Sequence, residues 1–524
     1  LENLEPNSST KMEQTNEFAE TARQLDNLVS LGIALSEERN REKLLEMIMY
    51  EARRVTNADA GTLYLVEEEK LRMKIIHNET MGTFQGGKGE NIDLPPVPIS
   101  RSYVSGYVAA TGKSVNLPDV YQAEGFDFSG PRKYDRMTGY RTQSMLVIPL
   151  RNHLREIIGV LQLINARAES KSGEVISFDP RFQSAVESLS SLAAIALTNM
   201  QLIQDIENLF ESFVQVMVTA IDARTPYNAT HTQKVNCLAK LIAQEIHAEE
   251  NGPFAGEYYD EDRLKELAMA GWLHDIGKIA TPLEVMNKST RLGDRLPLVL
   301  TRLDYAQERE KALSLEKMAG FLEQGRLQEA NQENEALKET LKQLQETYEL
   351  VCKADNPATF VDSDLQQRIA GLEKLTYLDR DGSPTPLLQP DEINALSVSK
   401  GTLTEDERQI MEEHVNITEK MLSMMPFTRY LSNVPRLACM HHEQLNGAGY
   451  PYGLEAKEIP LDARILAVSD VFDALTASDR PYKKGMPPER ALEIMGYMVQ
   501  EGKLDGSLVK LLEERRIWEK METE

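Results

Sequence analysis

The hydrophobic positions change period several times along the chain. Residues 1–22 are polar, without an apolar repeat, and read as a disordered or tag-like start. Two helical patterns follow, Leu25–Val55 and Arg181–Asn199, and between them lie strand-like runs at Gly61–Val66, Leu71–Ile76, Ser144–Leu150 and Ile157–Ile164. Helices outside and strands within predict an α+β domain over 23–200. From Val186 a stripe steps by three and four through Leu189, Ala193, Ala196, Met200, Ile203, Glu207, Phe210, Val214 and Met217 to Ile221. That period, broken at Glu207, predicts a linker helix over 186–222 that pairs in parallel with a second copy. Residues 296–352 are rich in Glu, Gln, Lys and Leu, with helical stripes at Val299, Leu303, Ala306, Leu313 and at Leu337, Leu341, Leu344, Tyr348, Val351. Gly320 and Gly325 interrupt them, which predicts a two-helix hairpin. Each arm would be ~40 Å long. A Pro/Asp/Gly-rich stretch, Asp379–Pro390, leads onward.

Composition narrows the classes of function. A length of 524 residues predicts about three domain-sized units. The three cysteines, Cys237, Cys352 and Cys439, form no CxxC pair, which fits a reducing cytoplasm and argues against a disulfide framework or thiolate zinc site. A net charge of −25, with no run of Lys/Arg interleaved with aromatics, opposes binding of polymeric nucleic acid. A small phosphorylated ligand is compatible with it. The charge-free stretch Ser188–Gln204 contains Asn199, Gln201 and Gln204 and is shorter than the ~20 apolar residues of a span, so no membrane partner is expected. The chain opens Leu-Glu-Asn and reads as a piece of a longer one.

The chemistry concentrates in histidine. Of eight, five fall into one series with two carboxylates: His231, His274-Asp275, His414, His441-His442 and Asp470. Imidazole and carboxylate together are a transition-metal ligand set. Two metals so held could make water nucleophilic at neutral pH, which points to a hydrolase. His231 starts a helix whose stripe continues at Val235, Leu238 and Ile242, so it faces inward; alone, it would read as a hydrogen-bonded core histidine. His274-Asp275 closes the helix Leu264–Leu273. Lys278, three residues on, is placed to steady a phosphate oxygen or simply to face solvent at the helix C-terminus. His414 shares a face with Ile410, Ile417 and Met421 in a helix opened by the capping box Thr404–Glu407. Glu443 is placed to orient an imidazole. Asp470 lies among Ile, Leu, Val and Phe, a costly position unless it is paired or binds metal, whereas Asp473 reads as an ion-paired structural residue.

Two resemblances follow from these residues. Gly106–Asp119, with the strand runs Ser144–Leu150 and Gly159–Asn165, resembles a GAF domain, and 23–200 is expected to be that sensor domain. The motifs His-Asp-Ile-Gly-Lys at 274–278, His-His-Glu-Gln-Leu-Asn-Gly-Ala-Gly-Tyr-Pro at 441–451 and Asp470-Val-Phe-Asp followed by Asp479-Arg-Pro-Tyr resemble the HD-GYP family of bacterial cyclic di-GMP phosphodiesterases. The expected architecture is therefore a multidomain chain: an α+β GAF sensor domain, a coiled-coil linker helix, and an all-α HD-superfamily domain over 205–524 interrupted by a 290–399 helical hairpin. The resemblance implies one metal among His231, His274, Asp275 and Asp470 and a second among Asp275, His414, His441 and His442, with Asp275 bridging. It implies cyclic di-GMP cleaved to pGpG or GMP with Asp275 and Lys278 in catalytic roles, while the His/carboxylate set itself, favouring coordination above four, points to iron or manganese rather than zinc. Arg480, Lys483 and Lys484 are further candidates for substrate phosphate, and Gly447, Gly449, Tyr450 and Pro451 form the signature loop at the pocket rim.

Departures from the family pattern qualify this picture. Tyr227 stands where some members carry a third-metal Glu, which favours two metals. Asn446 replaces a common Asp, and the insertion parts His274 from His414. The GAF domain would bind an unknown small molecule. His77 and His153 suggest surface histidines more than haem ligands, while Asn165 and Phe178-Asp179 are similar to cyclic-nucleotide-binding GAF domains. The competing expectation is a metal- and nucleotide-binding module with little turnover that signals through partner proteins.

Overall fold

The computed structural model describes residues 29–168, 173–224, 230–477 and 485–522. The chain divides into two compact units, Leu1–Phe210 and Glu211–Glu524. The polar start at 1–22 lies outside the described residues.

In the first unit the helical pattern over Leu25–Val55 is broken at 38–40, where Asn40 adopts an extended backbone and its side chain accepts from the Lys43 N–H. That capping bond starts α1 (Arg41–Thr56). The strands are β1 (Ala58–Glu67), β2 (Lys70–Asn78), β3 (Thr83–Gly86) and β4 (Val97–Pro98). After α2 (Val104–Thr111), β5 (Val115–Leu117) and α3 (Ser129–Thr138) come β6 (Met145–Arg151), β7 (Ile157–Arg167) and β8 (Val175–Ile176). Among the described residues they form one antiparallel sheet, ordered β3-β2-β1-β7-β6-β5, with β4 on β2 and β8 on β7. Successive side chains point to opposite faces. Leu63, Leu146 and Leu161 accordingly join Leu44, Ile48, Val186 and Leu189 in one core, while their neighbours Tyr64, Met145 and Val160 join Val104 and Val108 in another. Both faces are buried, which is why these strands read as apolar runs. In this unit the Asn165 amide donates to the Tyr140 hydroxyl and the Arg141 carbonyl, His77 pairs with Arg53, and His153 is exposed.

Helix α4 runs from Pro180 to Asp222. Its predicted seam is partly occupied within the units themselves. Val186, Leu189, Ala193 and Ala196 are buried in the first unit's core, and Val214 and Ile221 are buried in the second unit. Ile203 and Glu207 are exposed. By length and composition alone α4 could cross a membrane, a test that the core helix of a soluble protein also passes, and its first half packs into the first unit's core.

The second unit is helical around the residues of interest: α5 (His231–His247), α6 (Glu261–Leu273), α7 (Leu283–Met286), then the insertion, then α12 (Glu405–Leu422), α13 (Val434–Ala438), α14 (Leu461–Thr476), α15 (Pro488–Gln500) and α16 (Gly506–Glu514). The insertion holds α8 (Leu296–Glu323), α9 (Leu327–Asp355), α10 (Ser363–Gly371), a hairpin of β9 (Thr376–Leu378) and β10 (Pro384–Pro386), and α11 (Pro390–Leu396). Gly325, at φ +76, makes the turn between its long helices, whereas Gly320 stays within α8. The insertion is more than a bare hairpin. Leu365, Ile369, Leu372, Leu387 and Leu388 pack with Val299, Leu303, Leu350 and Val351 into a core of its own. Its root is fastened by the fully buried Arg291, whose guanidinium donates to the carbonyls of Val398, Ala354, Asn356 and Thr359 at 2.7–2.8 Å. Lys288 pairs with Glu407 at 2.6 Å, joining the chain before the insertion to the helix after it.

Candidate metal centre

Five helices of the second unit bring the candidate ligands to one place. His231 opens α5, His274 ends α6, His414 lies within α12, His441 and His442 follow α13, and Asp470 lies within α14. The Asp275 carboxylate is at the centre, 3.2 Å from His274 Nε2 and 3.6 Å from His231 Nε2 on Oδ2, and 3.4 Å from His414 Nε2 and 3.8 Å from His441 Nε2 on Oδ1. Asp470 lies 3.3 Å from His231 Nε2. The ligand atoms of His231, His274 and Asp275 fall within 4.8 Å of one another, as do those of His414, His441 and His442.

Backbone carbonyls set the orientation of three rings. His274, His414 and His441 donate through Nδ1 to the carbonyl three residues earlier, Gly271, Met411 and Ala438, at 2.7, 2.5 and 2.7 Å. This fixes the tautomer and leaves each Nε2 with a lone pair pointing inward. Those three Nε2 atoms and Asp275 Oδ1 are buried without a hydrogen-bond partner among the described residues. Buried polar atoms are paired in nearly every native structure, and four orphans facing one point match a cation that completes them. His231 is oriented instead by Asp473, whose Oδ2 lies 2.7 Å from Nδ1. Asp473 is ion-paired, as the sequence suggests, and its partner is the candidate ligand His231; the three-residue offset from Asp470 on α14 is the signal that could have named that partner.

The electrostatics divide the cluster. Burial opposes charge on His231, yet Asp275, Asp470 and Asp473 hold its pKa well above the usual value. Burial, then the neighbouring His442 and His274, holds His441 well below it, and burial brings His442 down to about 4. Burial would raise Asp275, but His274 and Lys278 keep it ionised. Lys278, half-buried, turns towards the centre: its Nζ lies 2.5 Å from Asp275 Oδ2.

The signature loop closes one side. Glu443 accepts the Tyr452 and Leu454 N–H groups at 2.8 and 2.9 Å, so it holds the loop rather than orienting an imidazole as expected. Gly449 permits this fold, since a Cβ there would lie 2.3 Å from the Gln444 nitrogen. The Tyr450 ring lies 4.8 Å from that of His442, and Pro451 follows through a cis peptide. Asn446 donates to the Glu501 carbonyl. A residue not foreseen is Asp222, the last of α4, which lines one pocket with Trp272, Asp275 and Lys278 and whose carboxyl is pushed up to about 6 by burial. Nothing in its sequence context marks it apart from the helix it ends. Arg480, Lys483, Lys484 and Tyr227 lie outside the described residues.

Comparison with known proteins agrees with both halves. The GAF domain family matches residues 40–197 and the HD domain family residues 387–508, the latter beginning inside the predicted insertion. The chain therefore carries a GAF domain followed by an HD domain. It is 33% identical over 207 residues to the Cyclic di-GMP phosphodiesterase response regulator RpfG of Xanthomonas campestris pv. campestris, covering 38% of this chain and 53% of that protein. It is 42% identical over 103 residues to the 3'3'-cGAMP-specific phosphodiesterase 3 of Vibrio cholerae, covering 20% of this chain and 21% of that protein. It is also 42% identical over 97 residues to a Cyclic di-GMP phosphodiesterase of Thermotoga maritima, covering 17% of this chain and 24% of that protein. The chain thus spans about half the length of the first of these relatives and about a quarter or less of the other two.

Proposed function

We propose that this chain hydrolyses the phosphodiester bonds of cyclic di-GMP, to pGpG or GMP, at a two-metal centre in its HD unit. The observation that carries the reading is the convergence of three partnerless Nε2 atoms on the shared carboxylate of Asp275. His231, His274, Asp275 and Asp470 would hold one divalent ion, and Asp275, His414, His441 and His442 the other. When bound, such ions polarise a phosphodiester oxygen and lower the pKa of a water. The donor set of imidazoles and carboxylates suits iron or manganese, which accept more than four ligands, better than zinc.

The residues contribute the rest. Lys278 keeps a positive charge beside Asp275, where it would meet the phosphate as charge builds on it. Gly449, Tyr450 and Pro451 would shape the rim that receives the nucleotide, and Arg480, Lys483 and Lys484 would contact its phosphates. The GAF domain would regulate turnover through α4 on binding a small molecule, in a homodimer joined by that helix. Three free cysteines are consistent with a cytoplasmic setting.

Cyclic dinucleotide turnover by protein prepared without oxygen, with iron or manganese supplied, tests the reading by chromatography. A second substrate belongs in the panel, because the 3'3'-cGAMP-specific relative matches at the same 42% as one cyclic di-GMP relative. Two bound metals with no turnover of either nucleotide would favour a binding module that acts through partner proteins.

A further inference from the structure

The last turns of helix α4 lie against the metal centre. Val218 and Ile221 are buried in the second unit, and the Arg224 guanidinium donates to the Ile279 carbonyl. That bond ties the helix end to the short turn Ile276–Ala280, which carries Lys278. A cavity of about 10 Å³ lies there, lined by Asp222, Thr232, Trp272, Asp275, Lys278 and Met286 among others. Such a space holds about one water. Among the described residues its walls carry two carboxylates, Asp275 and Asp222, and one cation, Lys278. Asp275 is the shared candidate ligand. Asp222 belongs to neither ligand set.

In the metal-free chain Lys278 leans on a carboxylate that metal would claim. Its Nζ lies 2.5 Å from Asp275 Oδ2, and the same oxygen faces His274 Nε2 at 3.2 Å and His231 Nε2 at 3.6 Å. An ion held by these three residues would draw on the charge of that oxygen and leave the ammonium beside a second, larger positive charge. Like charges this close repel strongly where water is excluded. Asp470 and Asp473 lie against His231 instead, at 3.3 and 2.7 Å. Asp222 is coupled to the lysine: burial and Asp275 favour its neutral carboxyl, whereas His231 and Lys278 favour the carboxylate. Resting on the two-metal reading above, we propose that Asp222 is a positioning residue for Lys278, taking the ammonium over from Asp275 as metal binds and holding it at the edge of the centre, where a substrate phosphate would meet it. The flexible four-carbon stem of lysine permits that exchange while the backbone of both segments stays in place.

A suppression experiment on the full chain tests this. Asp222→Asn removes the second carboxylate, so Lys278 stays on Asp275 and competes with the ion. Manganese affinity at the site of His231, His274, Asp275 and Asp470, read by competition with a chelating dye, is expected to fall by about tenfold, the scale of losing a supporting partner. Adding Lys278→Met is expected to restore it, because the competing charge is gone. Melting of the metal-free Asp222→Asn chain should stay close to wild type, and Asp222→Glu should recover part of the affinity. Turnover of cyclic di-GMP gives the complementary pattern: Asp222→Asn lowers kcat when Lys278 is present and has no further effect once it is Met. A loss of affinity that persists in the double variant assigns Asp222 to folding or to ligation and overturns the proposal, as does unchanged affinity in Asp222→Asn. Suppression without turnover of any cyclic dinucleotide keeps Asp222 as the partner of Lys278 and overturns the phosphodiesterase reading instead. A wild-type chain that binds neither manganese nor iron overturns both.

Discussion

Gly277 and His414 meet backbone to backbone: a Cβ placed on Gly277 would lie 1.9 Å from the His414 carbonyl oxygen and 2.7 Å from the Thr418 nitrogen. The Gly277 N–H donates to Thr418 Oγ1 at 3.0 Å, and the same hydroxyl faces the His274 carbonyl at 3.3 Å. The glycine therefore sets the distance between the helix bearing His414 and the His274-Asp275 step. Gly277→Ala must push α12 away. Overpacking of this kind costs about 1–3 kcal/mol. The expected outcome is a lower melting temperature with metal content falling from two ions per chain towards one, measured by elemental analysis. Retention of two ions at wild-type affinity would contradict it.

The convergence of the candidate ligands was legible because their chemistry is rare at these spacings. The adjacent pairs His274-Asp275 and His441-His442 place two metal-binding groups at one helix end, which few structural roles require. What escaped was whatever depends on the third dimension. The Nδ1 partners of His274, His414 and His441 are backbone carbonyls, which carry no residue signature. Glu443 looked like an orienting carboxylate from its place beside His442, yet the chain after it folds back and takes both its oxygens. The strands of the first unit were readable, within a few residues at their ends, from apolar runs. The β9–β10 hairpin was not, since Asp379–Pro390 reads only as punctuation and its short strands depend on the core formed by Leu372 and Leu387.

Asp473→Asn separates orientation from ligation. The amide can still accept from His231 Nδ1 but removes a negative charge from the ring. Loss of such a partner weakens metal affinity by about 10–100-fold. The weakening should be confined to the ion held with His231, with the ion held by His414, His441 and His442 bound as before. Competition titrations with a chelating dye resolve the two. Equal weakening of both ions would mean that Asp473 acts by stabilising the unit as a whole.

Arg291→Met examines the insertion as a folding unit. The substitution leaves four carbonyls at the root without their charged donor, and each buried group left unpaired costs about 1–3 kcal/mol. Amide exchange should rise over 290–399 while α5, α6 and α14 keep their protection. Metal stoichiometry at low temperature should persist, because Lys288 and Glu407 still tie the flanks together. Uniform loss of protection across the second unit would show that the insertion and the metal centre unfold as one.

Metal loading should release a proton, and His231 is its source. The three carboxylates around that ring overcome burial and keep it charged at neutral pH in the metal-free chain. A ligand must offer its Nε2 lone pair, so the ring has to lose its proton on binding. His441 and His442 are held neutral by burial and have none to give. Affinity for manganese should therefore rise with pH through the neutral range and level off above the raised pKa of His231. Calorimetric titrations at pH 7 in buffers of different ionisation enthalpy should show proton release, and His231→Gln should release about one proton fewer per chain. A binding enthalpy independent of buffer would place a neutral His231 in the metal-free chain, in conflict with the charge that Asp275, Asp470 and Asp473 impose on it.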